Sequence, residues 1–550
     1  MTTSALPSDL PESTRASAEP ATMGSPRFAV FSSNLSDSVR RGLLALNGSW
    51  PDASWLIVLH RPHRSAGRLI KSQVLNLKRN GWRWLPYQAG DASRRILARW
   101  QPLPAAAPPW QADWTAFLAR STVTLVAVDD MSAASSLRQV EDFRPDLGLS
   151  LAAPILKRTL FSIPRLGTIN LHKGRVPEYR GMPPAFWELW NGETSVGCTV
   201  HWVDDRLDAG DIVKQGSVPR EKYSSLRGLQ LQLDELGIRL IGDAVEDIVR
   251  GHSTSLRQPP GGKTHRKPTL AQAEELKRRL EALEPKRQPA LQRAARNGAA
   301  TLAWRSSKAG LSRWLRPRIT VVLYHRVTDD ARDNLSVGIE QFDRQMALLR
   351  EQCEVLSLSQ VLAARTIPRS TRPLVAVTFD DGYLDNYVHA APILLKHGVP
   401  AAFFVSTGLI GTERRFPHDV KRGNPQIPTM SWADLRTMRK QGFTIGSHSV
   451  SHIDCAAEPI ETVVGELRES RDQLREQLDI TDPVFAYPYG GRNHMTAERL
   501  RCVRDAGYVG CLSAYGGSNI GTVDPFNVVR RGIHWEFTDQ AFLLECLGLR

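Results

Sequence analysis

Leu374-Val-Ala-Val-Thr-Phe-Asp-Asp-Gly382 decides how the second half of this 550-residue chain is built. Six apolar or β-favouring residues run into two adjacent carboxylates and a glycine, the pattern of a buried strand ending in a turn. Adjacent side chains at a strand end point to opposite sides, so Asp380 and Asp381 can serve different partners. Downstream, Gly446-Ser-His-Ser-Val-Ser-His452 sets His448 and His452 four residues apart, close enough for both to reach one metal from a helical turn. Two histidines and one carboxylate leave coordination positions open for water and substrate. The second carboxylate is then free to take a proton from that water. Asp-Asp-Gly alone is a turn, and His-x3-His alone is a surface pair. Both together, each following an apolar strand, point to one site.

Outward from this stretch, further strands are expected at Ile319-Thr-Val-Val-Leu-Tyr324, Ala401-Ala-Phe-Phe-Val405 and Phe443-Thr-Ile-Gly446, with helical segments between them. Repeated strand–helix units of this kind build a (β/α) barrel. The first half alternates in the same way, with strands at Arg27-Phe-Ala-Val-Phe31, Ser54-Trp-Leu-Ile-Val-Leu59 and Val123-Thr-Leu-Val-Ala-Val128, which predicts an α/β sheet. A single core stops growing at roughly 250–300 residues, so two domains or more are expected. The expected division is a disordered tail over 1–25, a first domain over 26–282, a basic linker over 283–317 and a second domain over 318–550.

Composition narrows the class. The apolar fraction of 41% is that of a folded enzyme. No apolar stretch reaches the ~18 residues of a membrane helix, and the start of the chain lacks the basic-then-apolar order of a secretory signal. A cytoplasmic protein is expected. The six cysteines form no CxxC pair, which argues against a zinc ribbon or a disulfide framework and for reduced thiols. The net charge of +14 is concentrated between Arg257 and Arg318, with sixteen Lys or Arg against four Asp or Glu. A solvated basic segment explains this better than a DNA-binding face. Within it, residues 302–316 are basic with two tryptophans. They read either as an interdomain helix or as a helix resting peripherally on an anionic membrane.

The first half carries its own candidate site. In Gly167-Thr-Ile-Asn-Leu-His172, Asn170 and His172 are two apart and share one face of a strand. Val176-Pro-Glu-Tyr-Arg-Gly181 follows, and Asp208 lies in the acidic loop after the strand-like Gly197-Cys-Thr-Val-His-Trp202. Acyl transfer to an amine needs a donor for the developing oxyanion, a base for the amine proton and a carboxylate to orient that base. Asn170, His172 and Asp208 offer these three functions.

Asn170-Leu-His172, the Val176–Gly181 turn and Leu207-Asp-Ala-Gly210 together resemble the folate-dependent formyltransferase family, which acts on methionyl-tRNA, glycinamide ribonucleotide and amino-sugar nucleotides. The resemblance implies a Rossmann-like domain, 10-formyltetrahydrofolate as donor against Leu151-Ala-Ala-Pro-Ile-Leu156, and Asn170, His172 and Asp208 as catalytic residues. The segment Gly262-Lys-Thr-His-Arg-Lys-Pro-Thr269 is similar to the end of sugar-type members. Lys173-Gly174 departs from the Pro-Ser found in many members and bears on the acceptor.

Thr378 to Gly382 and His448 to His452, with Tyr324-His-Arg326, Met430-Ser-Trp432 and Phe485-Ala-Tyr-Pro-Tyr-Gly490, resemble the polysaccharide deacetylase, or NodB-homology, family. This resemblance implies a distorted (β/α) barrel. It implies a divalent metal, zinc first, on Asp381, His448 and His452, and Asp380 as general base. Pro488, Tyr489 and Gly490 would line the substrate groove, with a backbone N–H near Tyr489 at the oxyanion. His534 is the candidate acid. Many members contact the catalytic Asp with an Arg two residues before the Pro. Here that place is Ala486, and Arg530 or Arg531 is the expected substitute.

The expected whole is a bifunctional carbohydrate-modifying enzyme that removes an N-acyl group from a sugar, acetyl or formyl, and formylates an amine. Its substrates would be nucleotide-linked or lipid-linked sugars. The alternatives are two independent activities in one glycan pathway, and a tRNA- or glycan-binding protein on degenerate enzyme folds. Against the last stands the presence of every core catalytic residue.

Overall fold

The computed structural model describes residues 25–62, 66–83, 109–283, 317–422 and 427–548. The expected tail over 1–25 and linker over 283–317, including 302–316, lie almost wholly outside them. The described residues form two compact units that divide near residues 284 and 285.

The first unit is built on seven strands: β1 (Arg27–Ser32), β2 (Ser54–His60), β3 (Val123–Val128), β4 (Leu147–Ser150), β5 (Thr168–His172), β7 (Ser195–Trp202) and β8 (Ile212–Pro219). They lie in the order β3-β2-β1-β4-β5-β7-β8. The sheet is parallel from β3 to β5, and β7 and β8 then add antiparallel. Parallel strands are covered on both faces and so read as continuous apolar runs; β1 and β2 are buried along nearly their whole length. Phe28 packs on Trp55 at 4.7 Å between ring centres, and Trp55 on Phe117 at 5.8 Å. The helix Leu226–Val249 is capped by Ser225, whose Oγ accepts the Gly228 N–H. Its buried residues Ile241, Ala244 and Val245 join that core.

Chain order reverses at β1, which has β2 on one side and β4 on the other. Ligands bind beyond the carboxyl ends of parallel strands at such a switch point. A two-stranded ribbon of β6 (Tyr179–Gly181) and β9 (Lys263–His265) borders the same end.

The second unit is a distorted barrel of parallel strands. Its wall is β10 (Arg318–Tyr324), β14 (Leu374–Phe379), β15 (Ala401–Val405), β16 (Thr444–Ser447), β17 (Val484–Ala486), β18 (Gly510–Leu512) and β20 (Arg530–Gly532). Each pairs in parallel with the next in space, and β20 lies beside β10. A single bridge between Leu512 and Val528 joins β18 to the segment entering β20, and this closes the ring. The short strands β11 (Arg326–Val327), β12 (Ser336–Val337), β13 (Glu354–Val355) and β19 (Asn519–Ile520) decorate it. Phe379 stacks on Phe403 at 4.6 Å, and Phe403 meets Phe443 edge-on at 5.4 Å. Asp380, His448, Pro488 and His534 all follow strands of the wall, at the end where barrel enzymes place their chemistry.

Gly446 shows how tightly the histidine strand is set. A Cβ there would lie 2.6 Å from the Phe404 ring and 2.8 Å from the Val484 carbonyl oxygen. Gly446→Ala must displace β16, and overpacking of this kind costs about 1–3 kcal/mol. Faster hydrogen exchange in peptides covering β16 and β17 is the expected reading, with exchange in β1 and β2 unchanged.

Candidate active sites

In the first unit, the site begins where β5 ends. Strand alternation turns Asn170 and His172 to one side, and the antiparallel register sets His201 of β7 opposite Asn170. The His172 Nε2–H donates to the Tyr179 carbonyl at 2.7 Å, which leaves Nδ1 to face Asp208 Oδ2 at 3.4 Å. Gly174 permits this, because a Cβ there would stand 2.5 Å from both Nε2 and the Tyr179 oxygen. The Asn170 amide contacts His201 Nε2 at 3.1 Å and donates to Asp208 Oδ1 at 3.4 Å. The ring of His201 is set in turn by its Nδ1 contact with the Trp202 carbonyl at 2.8 Å. Asp208 has a left-handed backbone, φ +50°. Its Oδ2 accepts the Gly181 N–H at 3.0 Å, and Gln258 Nε2 holds its carbonyl at 3.0 Å.

Burial lowers the His172 pKa below its ordinary value against the pull of the Asp208 charge. Burial would raise Asp208, but the His201 hydrogen bond and the charges of both imidazoles hold it below the usual carboxylate range. All four side chains line a cavity of about 660 Å³ that also takes in Leu151 to Leu156. Lys173 lines it too, paired with Asp234 of the Leu226–Val249 helix. His201 and Gln258 carry no motif of their own. Only the register of β7 and the path of the chain toward β9 bring them in.

In the second unit, Asp380 and Asp381 are both buried and diverge as expected. Asp380 is clamped by Arg530, whose Nη1 and Nη2 donate to Oδ1 and Oδ2 at 2.7 Å each. Arg530 is fully buried, and its Nε donates to the Ser513 carbonyl at 2.6 Å. Of the two candidates, Arg530 occupies the place left by Ala486. Arg531 points to the other side of β20 and pairs with Glu545 at 2.7 Å. Burial would raise Asp380, yet the Arg530 charge holds it below the usual range.

Asp381 has φ +75°. Its Oδ1 stands 3.2 Å from His452 Nε2 and 3.5 Å from His448 Nε2. The expectation of a helical turn for the two histidines is corrected. They sit on a loop leaving β16, with Ser449 at φ +63° and His452 at φ +60°, because the His448 N–H still bonds to Val405 as a strand residue at 2.8 Å. His448 Nδ1 donates to the Ala486 carbonyl at 2.8 Å, so its Nε2 lone pair faces the carboxylate. Burial lowers the His448 pKa to about 4 and keeps the ring neutral.

A neutral imidazole lone pair and a carboxylate oxygen repel unless a cation lies between them. Both Asp381 oxygens and His452 Nδ1 are buried without a hydrogen bond, and one ligating atom from each of Asp381, His448 and His452 lies within 4.8 Å of the others. The donor set fits a divalent cation.

Tyr489, with φ +59°, sets its half-exposed ring edge-on to His452 at 5.0 Å and lies over His494. His534 follows β20 and packs on Phe537 at 4.8 Å, outside the group of Asp381, His448 and His452. A residue the sequence did not flag, His418, stands with Nε2 3.7 Å from Asp381 Oδ2. Tyr383 Oη lies 2.8 Å from that nitrogen and donates to Asp419 at 2.7 Å.

Arg530→Met should leave a buried carboxylate unpaired and cost about 3–5 kcal/mol, measured by chemical denaturation. The double variant Asp380→Asn/Arg530→Met should recover most of that stability while remaining inactive.

Residues 131–244 match the Formyl transferase family, and residues 368–510 match the Polysaccharide deacetylase family. Methionyl-tRNA formyltransferase of Listeria innocua is 32% identical over 133 residues, which are 24% of this chain and 43% of that protein. The chain thus spans about two fifths of the curated relatives it matches. The structure of Streptococcus pyogenes deacetylase PplD in complex with acetate aligns with 42% of this chain and 99% of its own, at 23% identity and a TM-score of 0.36. A sugar N-formyltransferase from Shewanella aligns with 46% of this chain and 87% of its own, at 14% identity and a TM-score of 0.30. A segment of each unit thus matches a family model, formyl transferase in the first and polysaccharide deacetylase in the second.

Proposed function

We propose that the chain is a bifunctional enzyme of amino-sugar modification, in which the second unit removes an N-acetyl group and the first formylates the amine so exposed. The observation that carries this reading is that each unit gathers a full set of reactive groups in one place. Asn170, His172 and Asp208 line one cavity, and Asp381, His448 and His452 converge beside an Asp380 that Arg530 holds apart.

In the first unit, the amine nitrogen attacks the formyl carbon of 10-formyltetrahydrofolate. Asn170 reaches Asp208 only through a long bond of 3.4 Å, an N–H that a formyl oxygen gathering negative charge can take over. His172 Nδ1 accepts the amine proton, and Asp208 beside it stabilises the imidazolium. The C–N bond to the folate then breaks, and the folate nitrogen recovers a proton. Lys173 and Asp234 bring opposite charges to the same cavity and are suited to orienting the acceptor.

In the second unit, Asp381, His448 and His452 would hold a divalent cation, zinc by our reading, which would supply Lewis acidity toward water and an amide carbonyl. Asp380 takes the water proton. Arg530 fixes the plane of that carboxylate and keeps it ionised. The amide C–N bond breaks, the carbonyl carbon keeps the water oxygen as acetate, and the nitrogen leaves as the amine. Tyr489 walls the groove above His452, and His534 is the candidate donor to the leaving nitrogen.

The direct test is mass spectrometry of N-acetyl and free amino-sugar nucleotides incubated with the protein, zinc and 10-formyltetrahydrofolate. Conversion of N-acetyl to N-formyl sugar is expected, stopping at the free amine in His172→Ala and at the N-acetyl substrate in Asp380→Ala. Formylation of free amines without deacylation would overturn sequential action and leave two independent activities. Removing metal with a chelator should abolish deacylation and leave formylation of a supplied amine intact.

The pH dependence of formylation follows from His172. Its lowered pKa keeps the base neutral further into acid, so kcat/KM expressed against the unprotonated amine should have its acid limb below the ordinary imidazole range.

A further inference from the structure

The loop that carries both histidine ligands is held by a carboxylate on a neighbouring helix. Ser449 and His452 both adopt left-handed backbone, which side-chain-bearing residues avoid and which persists only where the surroundings impose it. On one side, the loop carbonyls of Ser449 and Val450 accept the N–H groups of Thr407 and Gly408 at 3.0 and 2.9 Å. On the other, its N–H groups meet Glu466, within the helix Ile460–Leu478. Glu466 Oε2 accepts from Val450 N at 2.7 Å and Ser451 N at 2.9 Å, and Oε1 accepts from Ser451 Oγ at 2.7 Å. One carboxylate side chain thus binds three donors from Val450 and Ser451, between His448 and His452. Charge-assisted bonds of this length are the strong ones.

His448 is fixed independently, by the Val405 carbonyl at its own N–H and by the Ala486 carbonyl at Nδ1. His452 has no such anchor on its ring, since Nδ1 is without a hydrogen bond. The position of its Nε2 opposite Asp381 depends on the backbone that carries it.

We propose that Glu466 is a positioning residue for the metal site, holding the left-handed loop so that His452 reaches the cation that His448 and Asp381 share. The inference rests on the metal-hydrolase reading of the second unit. Partners behind metal ligands commonly change affinity about 10- to 100-fold.

The test is zinc affinity of the full chain, by competition with a chromophoric chelator, beside thermal unfolding of the metal-free protein. Glu466→Ala should weaken zinc binding about 10- to 100-fold. Glu466→Gln should lose less, because its amide oxygen still accepts both N–H groups while its NH2 cannot accept from Ser451 Oγ. Wild-type zinc affinity in both Glu466 variants overturns the proposal, whether or not the metal-free protein melts earlier. That result leaves the metal reading standing if His448→Ala/His452→Ala still abolishes tight binding. A parent protein that binds zinc no better than that double variant overturns both.

Discussion

Two carboxylates on consecutive residues, both almost out of reach of water, set the terms for the whole second unit. Like charges buried side by side are costly unless each finds its own positive partner. The strand end sends Asp380 and Asp381 in opposite directions, so the partners must come from opposite sides. For Asp380 it is a guanidinium, whose planar fork matches a carboxylate and which cannot lose its proton. For Asp381 it is a pocket of imidazole nitrogens suited to a cation. The barrel order follows from this demand: β20 must lie beside β10, which lies beside β14, to bring Arg530 within 2.7 Å of Asp380. The separation also divides the labour, because a carboxylate committed to a metal cannot also take up a proton freely.

The first unit meets a milder demand. One carboxylate, Asp208, is surrounded by two imidazoles and accepts from the Asn170 amide and the Gly181 N–H. Both units nevertheless place reactive groups on unfavourable backbone. Of the nine non-glycine residues with positive φ among the described residues, Asp208, Asp381, Ser449, His452 and Tyr489 belong to the two sites. Such conformations cost about 1–3 kcal/mol each. Three of them are tied by hydrogen bonds from other segments: Gln258 on the Asp208 carbonyl, the Ser406 N–H on that of Asp381 and the Thr407 N–H on that of Ser449.

What the sequence disclosed was whatever obeys a local period. The strands around Phe28, Ile57, Val377 and Phe403 are continuous apolar runs because both faces are covered, and Asn170 and His172 share a face because two residues on a strand always do. What escaped it depends on register and closure. His201 joins the first site because β7 is antiparallel to β5 and opposes Asn170, and no spacing along the chain encodes that. Strand alternation separates Arg530 from Arg531, but which of them faces inward is settled only by where β20 pairs. The two histidines were expected on a helical turn because four residues make one. Instead, the β16 backbone extends one residue further before the loop turns left-handed, and the same four-residue interval is spanned in another way. His418 stayed hidden for a simpler reason, since its segment has neither a period nor a motif.

The last strand of the second unit's wall, β20, pairs with its first, β10. A ribosome making it finishes β10 long before Arg530 emerges, by roughly ten to forty seconds at about 5–20 residues per second. Until then β10 lacks its β20 partner, and Asp380, once made, lacks its counter-charge. The arginine that matches the charge on Asp380 is itself part of the final wall. The neutralising of that buried carboxylate and the completion of the fold are therefore one event.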